Sequence, residues 1–132
     1  MKRLIVLIYC MLILTGCNHK TLEDVSNENK YELSEITSQY SSVDGLKKAY
    51  VVSNLDFHTE VLNFTDSNKI DEYLSSLKKN LNLKNDGRFY ISQNKNISYL
   101  ILIHGKNLGF SKVSENKIKN AKEILKIVTN TQ

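Results

Sequence analysis

The side chains best suited to general-base or metal chemistry in this chain are its three histidines, His19, His58 and His104. No pair has the His-x-His or His-x-x-x-His spacing that places two imidazoles side by side on one strand or helix. His58 lies two positions from both Asp56 and Glu60, so this stretch is the nearest approach to a ligand cluster. The sequence therefore assigns no metal ligand and no catalytic residue. A small hydrolase or metal-dependent enzyme that uses His58 and His104 is the alternative hypothesis.

Nucleophilic catalysis is not indicated by the serines. A serine nucleophile needs a sharp turn and a nearby base, and the chain has no Gly-x-Ser-x-Gly motif and no Ser-x-x-Lys motif at a strand-to-helix turn. Ser75 precedes Lys78 at the second of these spacings, but both residues fall within a predicted helix. The five glycines are too sparse for a loop that cradles phosphate, so no cofactor is predicted.

The first 17 residues have the organisation of an export signal. Residues 1–3 carry positive charge, and an unbroken apolar run of 11 residues follows at 4–14. This run is too short for a transmembrane helix, which needs about 20 apolar residues, but it is typical of a signal peptide. The tetrapeptide Leu14-Thr15-Gly16-Cys17 comes next and resembles the lipobox of bacterial lipoproteins. The resemblance implies that diacylglycerol is attached to Cys17 and that the precursor is cleaved between Gly16 and Cys17.

A lipidated mature protein would work on the outer face of the cell membrane. Two acyl chains give stable membrane attachment, whereas a single chain gives only marginal binding. In a Gram-negative host, Asn18 is not the aspartate associated with retention in the inner membrane, so the outer membrane would also be open to the protein.

Processing would also change the charge and the cysteine content. The formal net charge is +4, and it falls to +2 once Lys2 and Arg3 leave with the signal. So small an excess on an exported protein argues against a nucleic-acid partner. Cys10 and Cys17 are the only cysteines, so the mature domain would contain no free thiol, no disulfide and no cysteine-based metal site.

Three segments are predicted along the chain. They are a removed signal peptide at 1–16, a lipidated cysteine with a flexible polar tether at 17–44, and a small domain at 45–132. Residues 18–44 are rich in Ser, Asn, Glu and Thr, a composition typical of a tether. The second half of this stretch also contains scattered apolar residues that could form a short strand or helix.

Two amphipathic helices are predicted within the domain. One is capped by Asp66 or Ser67 and continues to about Leu81, with apolar residues at three- and four-residue spacing. The other is capped by Ser114 and closes the chain.

Five strands complete a β-β-α-β-β-β-α order, at 48–53, 59–64, 88–93, 97–104 and 108–113. The run 99–103 is almost entirely apolar, which predicts a strand buried on both faces, and 108–113 is predicted to be an edge strand. The predicted fold class is therefore a single small α+β domain in which two helices pack on one face of an antiparallel sheet.

This order resembles small lipoproteins of unknown function from Bacillus-type bacteria. The resemblance covers residues 48–117 and depends on a strand, a helix and a β-meander in sequence. The individual positions that carry it are Lys69, Tyr73, Leu74, Lys78 and Arg88. Because these lipoproteins have no assigned activity, the resemblance implies a location but no mechanism.

Lysines are concentrated near the C-terminus, at positions 106, 112, 117, 119, 122 and 126. Such a patch could face anionic lipid or a polyanionic envelope polymer, or it could be the solvated face of a helix. The leading hypothesis is a non-enzymatic binding or accessory protein of the cell envelope, of the type that gives immunity to a toxin or excludes a second phage. It would contact another envelope protein through a sheet face or through the predicted edge near 108–113.

Overall fold

The computed structural model describes residues 20–131, and within them the chain forms three α-helices and seven β-strands. The helices are α1 (Leu22–Asn29), α2 (Ser67–Leu81) and α3 (Ile118–Thr129). The strands are β1 (Glu32–Glu35), β2 (Leu46–Ser53), β3 (His58–Phe64), β4 (Lys84–Asp86), β5 (Phe89–Asn94), β6 (Ile97–His104) and β7 (Asn107–Ser114). Short 3₁₀ turns lie at Thr37–Tyr40 and Glu115–Lys117. The predicted signal peptide, Gly16 and Cys17 lie outside the described residues.

All seven strands belong to one antiparallel sheet with the order β1-β2-β3-β7-β6-β5-β4. Most neighbouring strands are also consecutive in the chain and are joined by tight hairpins. The central pair, β3 and β7, joins the two halves of the sheet across a long stretch of sequence. The prediction of a single small α+β domain with an antiparallel sheet is confirmed.

Helix α2 forms where its capping residue and apolar spacing predict it. The side chain of Asp66 accepts a hydrogen bond from the Lys69 N–H at 3.1 Å, which satisfies a free donor of the first turn. Ile70 and Leu74 are buried against the sheet. The helix ends at Asn82, whose φ of 53° is the left-handed conformation that commonly terminates a helix.

The two long helices cover opposite faces of the sheet. Helix α2 packs in a cluster with Leu62, Ile101 and Leu108, whereas α3 packs in a separate cluster with Leu100 and Leu102. Successive residues of a strand point to opposite faces. Burial of residues 100, 101 and 102 to 0–2% exposure therefore requires cover on both sides. The expectation that both helices pack on one face is wrong, while the expectation that this strand is buried on both faces is confirmed.

The strand at 108–113 is central rather than at the edge. Strand β7 pairs with β3 on one side and with β6 on the other, and Leu108 is fully buried. The edges of the sheet are the short strands β1 and β4. Strand β4 was not predicted, whereas β1 lies in the stretch that was expected to form either a short strand or a helix. The hypothesis of a partner-binding edge at 108–113 is therefore wrong, because the backbone groups of that strand are already paired.

Much of the predicted tether is folded onto the domain. Thr21 and Asp24 form a capping box at the start of α1, and Leu22 and Val25 are 7% and 5% exposed. Strand β1 then pairs with β2 in register from Glu32 to Glu35. Among the described residues, the folded domain therefore includes the stretch from Thr21 onward and does not start at residue 45, because a few apolar residues in this polar stretch pack on the sheet.

Helix α3 lies close to the centre of the sheet. A Cβ added at Gly109 would lie 2.6 Å from Thr129 Cγ2 and 2.7 Å from Leu125 Cδ2, so only glycine allows this approach. The prediction that Ser114 caps this helix is wrong. The chain passes through a 3₁₀ turn before α3 begins at Ile118, and the Ser114 hydroxyl bonds to the side chain of Asn116.

Candidate functional site

The two histidines of the alternative hypothesis lie at opposite ends of the sheet. His58 is the first residue of β3, and His104 is the last residue of β6. In the sheet, His104 lies opposite Asn107 of β7, and Asn107 lies opposite Asn63, which is near the other end of β3 from His58. At about 3.3 Å per residue, this register separates them by roughly 15–20 Å. A site that uses both imidazoles is therefore not formed.

His58 does approach one of its predicted neighbours. Its Nε2 atom lies 3.9 Å from Glu60 Oε1, and its side chain is 63% exposed. Asp56 lies in the exposed turn before it, and its backbone N–H donates a hydrogen bond to Asn54 Oδ1. Between residues 20 and 131 no group of three or more His, Cys, Asp or Glu side chains is arranged to hold a metal ion. His19 lies outside the described residues.

The loop between β2 and β3 presents an apolar side chain to solvent. Asn54 Oδ1 accepts hydrogen bonds from the N–H groups of Asp56 at 2.7 Å and Phe57 at 3.1 Å, which fixes the shape of the turn. Leu55 at the tip is fully exposed. Phe57 turns back and packs edge-to-face on Tyr31, with ring centroids 5.0 Å apart. A hydrogen-bonded hairpin thus holds one leucine away from the core.

A groove of about 300 Å³ lies between this loop and α3. Its apolar lining comes from Tyr31, Phe57, Val113, Ile124 and Ile127. A second depression of about 430 Å³ borders the same loop and includes Leu55 itself, Lys112 and Lys117. We call Leu55 together with these two depressions the hairpin-tip surface.

The charges on the hairpin-tip surface are mixed. Asp56 and Glu123 line it beside Lys112 and Lys117. In this region the sequence had indicated only that His58, Asp56 and Glu60 are the nearest approach to a ligand cluster. The sequence signal for this surface is Leu55, an apolar residue between the polar residues Asn54 and Asp56, where a turn would hold it away from the core.

A second group of polar and aromatic side chains lies on the α2 face of the sheet. The Tyr40 hydroxyl donates a hydrogen bond to the Glu60 carboxylate, and both residues line a small cavity with Tyr73, Leu77 and Phe110. Burial, followed by the hydrogen bond to Glu60, raises the pKa of Tyr40 above its ordinary value. Burial also raises the pKa of Tyr73, with a smaller contribution from the Glu60 charge.

The C-terminal lysines do not share one surface. Lys122 Nζ lies 3.1 Å from Asp86 Oδ2 and above the ring of Phe89. Lys112 Nζ instead lies 5.9 Å from the ring centre of Tyr99, a residue of the opposite face of the sheet. Lys126 pairs with Glu123 at 3.2 Å along α3. The charges of these three lysines therefore lie beside different local partners, and Lys112 and Lys122 lie on opposite faces of the sheet.

The predicted anchor, Cys17, and the cleavage site between Gly16 and Cys17 lie outside the described residues. No helix in the part of the chain that the structure describes is long and apolar enough to cross a membrane. Comparison with protein-family models, with curated proteins and with solved structures finds no match for this chain.

Proposed function

We propose that this protein is a membrane-anchored lipoprotein on the outer face of the cell membrane, and that it binds another protein of the cell envelope through the hairpin-tip surface. The N-terminal residues support the anchor, since a positive start, an apolar run and the Leu14-Thr15-Gly16-Cys17 tetrapeptide follow one another in the order of a lipoprotein signal. The exposure of Leu55 is the observation that carries the binding role.

Leu55 is suited to contact a partner because its side chain lies in solvent at the tip of a hydrogen-bonded turn. Transfer of a leucine side chain from water into an apolar site stabilises a complex by about 1.5–3 kcal/mol. The N–H groups of Asp56 and Phe57 are held by Asn54, so the backbone of the turn loses little conformational entropy when Leu55 is buried. The adjacent groove offers Phe57 and Ile127 as further apolar contacts. An apolar side chain beside a partly aromatic groove matches the composition of the buried core of a protein interface.

The anchor is tested by labelling the precursor with a radioactive fatty acid in cells. Cys17→Ser should abolish the label and release the protein from the membrane fraction, because the thioether can form only at that sulfur. Cys10→Ser provides the matched control, and it should label as the wild type does because Cys10 is removed with the signal. Label retained in the Cys17→Ser protein would exclude the lipobox.

The binding role is tested by placing a photo-crosslinking amino acid at position 55 in the membrane-anchored protein. We expect one discrete crosslinked envelope protein, and we expect crosslinking at the exposed Ser76 of α2 to give none. With the crosslinker moved to Ile127, on the same surface, Leu55→Asp should remove the product. The substitution should change the free energy of unfolding by no more than about 0.5 kcal/mol, because Leu55 is outside the core. Equal background products at positions 55 and 76 would count against the proposal.

A further inference from the structure

A small cup opens on the α2 face of the sheet, separate from the hairpin-tip surface. Its volume is about 50 Å³, and its floor is formed by Leu62 and Leu108, which are 1% and 0% exposed. Its partly exposed wall consists of Tyr40 from the first 3₁₀ turn, Glu60 from β3, Tyr73 and Leu77 from α2, and Phe110 from β7. We call these seven residues the Tyr40–Glu60 cup.

The cup contains a carboxylate without a lysine or arginine partner. Among residues 20–131, every other carboxylate that forms an ion pair is 48% or more exposed and pairs with a lysine. The Glu60 side chain is only 22% exposed, and its nearest basic atom is His58 Nε2 at 3.9 Å, which is charged only when protonated. The hydrogen bond from Tyr40 stabilises the carboxylate but leaves its negative charge in place.

Three aromatic rings surround that charge. Tyr40, Tyr73 and Phe110 line the same cavity as Glu60. The face of an aromatic ring attracts a cation within about 6 Å of its centre, and the attraction strengthens as the site is desolvated. A divalent metal ion would instead require several oxygen ligands, whereas the cup supplies one carboxylate. Aromatic rings with a single carboxylate suit an organic cation.

We propose that the Tyr40–Glu60 cup binds the ammonium end of an alkylammonium group. The carboxylate accepts hydrogen bonds from the ammonium protons, and the buried leucines of the floor contact the last methylenes of the alkyl chain. A cavity of about 50 Å³ accommodates the end of such a chain and not a whole amino acid. A free alkylamine and the side chain of a lysine share this chemistry.

This inference does not depend on the lipid anchor or on the hairpin-tip surface. Glu60 points to the α2 side of the sheet with its cross-strand neighbour Phe110, whereas the groove beside Leu55 lies against α3. The cup has no lining residue in common with the hairpin-tip surface, so substitutions within the cup leave the side chains of that surface in place.

The test is a titration of the full chain, purified in a maltoside detergent that carries no ammonium group. The probe is n-butylammonium chloride, followed through the ring resonances of Tyr40, Tyr73 and Phe110, with 1-butanol and sodium chloride as controls. We expect saturable shifts with the ammonium probe and none with either control. Glu60→Gln keeps an acceptor for Tyr40 but removes the charge, and it should weaken binding about tenfold.

Glu35→Gln is the matched control, because Glu35 is an exposed carboxylate on β1 that already pairs with Lys48. It should bind the probe as the wild type does. Phe110→Leu keeps the apolar character of the wall and removes one ring, so it should weaken binding of the ammonium probe about threefold. This variant tests the proposal if Glu60→Gln fails to fold. Equal affinity in Glu60→Gln and the wild type, equal shifts with 1-butanol, or no saturation would overturn the proposal.

A second ligand distinguishes the two sources of the cation. Nα-acetyl-lysine methylamide carries the same ammonium group on a peptide-like backbone. Binding of both ligands supports a cup that can receive a lysine side chain of another protein. Binding of n-butylammonium alone supports a cup that takes only free amines. If neither ligand binds, the cup is not a site for an ammonium group. That result does not bear on the crosslinking test at Leu55.

Discussion

At the scale of single residues, the hydrogen bond between Tyr40 and Glu60 links stability to alkaline pH. Burial and the contact with Glu60 raise the pKa of Tyr40 above the ordinary value of 10.0. The folded protein therefore favours the neutral phenol more strongly than the unfolded chain does. This contribution to the free energy of unfolding is fully present below about pH 10, and it is lost as the pH rises towards the pKa of the folded state.

We expect Tyr40→Phe to lower the free energy of unfolding by about 1–2 kcal/mol at neutral pH, because the Glu60 carboxylate loses its donor. Above about pH 10 the difference from the wild type should shrink, since only the wild type retains the Tyr40 phenol that ionises. Acidic partners also raise the pKa values of Lys48 and Lys69, so deprotonation of these lysines at high pH removes a further stabilising contribution. That loss is the same in the wild type and in Tyr40→Phe. Denaturant titrations at several pH values measure the effect. A difference that stays constant with pH would contradict it.

The sequence could indicate only part of this cluster. Glu60 and His58 are two positions apart, and their proximity follows from the chain itself. Tyr40 is 20 positions away, and it reaches Glu60 because a 3₁₀ turn folds over β2 and β3. The aromatic wall likewise comes from three elements that are distant in sequence, so no spacing in the chain identifies it.

At the scale of elements, Asn107 holds the end of α3. Its side-chain amide donates hydrogen bonds to the carbonyl oxygens of Thr129 at 2.9 Å and Thr131 at 2.8 Å, and its own oxygen accepts one from Asn63 at 2.8 Å. The last carbonyls of a helix have no partner within the helix. A side chain from β7 supplies that partner here, and Asn107 is 5% exposed.

Asn107→Ala should lower the free energy of unfolding by about 1–3 kcal/mol, because buried carbonyl groups lose their donor. Asn107→Asp should cost more, since a carboxylate cannot donate and its charge repels the negative end of the helix. The exposed Asn120 of α3 offers the control, and Asn120→Ala should change the stability by less than about 0.5 kcal/mol. Thermal or denaturant unfolding measures all three. An Asp variant as stable as the wild type would exclude this role for Asn107.

The elements that sequence reasoning located correctly are those with their own local signals. Helix α2 has a capping aspartate and a regular apolar stripe, and β2, β3, β5, β6 and β7 carry β-branched or apolar runs between turns. Strands β1 and β4 are four and three residues long and are mostly exposed, so pairing with a neighbour holds them in place. The periodicity of each helix predicts that one of its faces is apolar and packs on the sheet, but it does not indicate which face of the sheet the helix covers.

At the scale of the whole molecule, the stretch from Thr21 to Glu35 packs into the same core and the same sheet as the rest of the domain. Leu22 packs in one cluster with Val52, Val61 and Val128, which come from β2, β3 and α3. Its contacts therefore extend across both halves of the chain.

Leu22→Ala should lower the stability of the entire domain by about 2–3 kcal/mol and leave a single unfolding transition, because the cavity opens in a shared core. A flexible tether at this position would predict no change. The neighbouring Glu23 is exposed, and Glu23→Ala should have little effect, so the pair isolates the packing contribution. Calorimetry measures both the stability and the number of transitions. An unchanged melting temperature for Leu22→Ala would show that α1 is not part of the core.

The start of α1 at Leu22 also restricts how the proposed lipoprotein would meet its partners. Four peptide steps separate Cys17 from the capping residue Thr21, and fully extended they span about 14 Å. A lipid at Cys17 would therefore keep the domain next to the lipid headgroups, because no long flexible linker would separate the two. Encounters would be confined to a thin layer, so the search for a partner becomes lateral diffusion in two dimensions. A partner anchored in the same bilayer would meet the protein far more often than one that is free in solution.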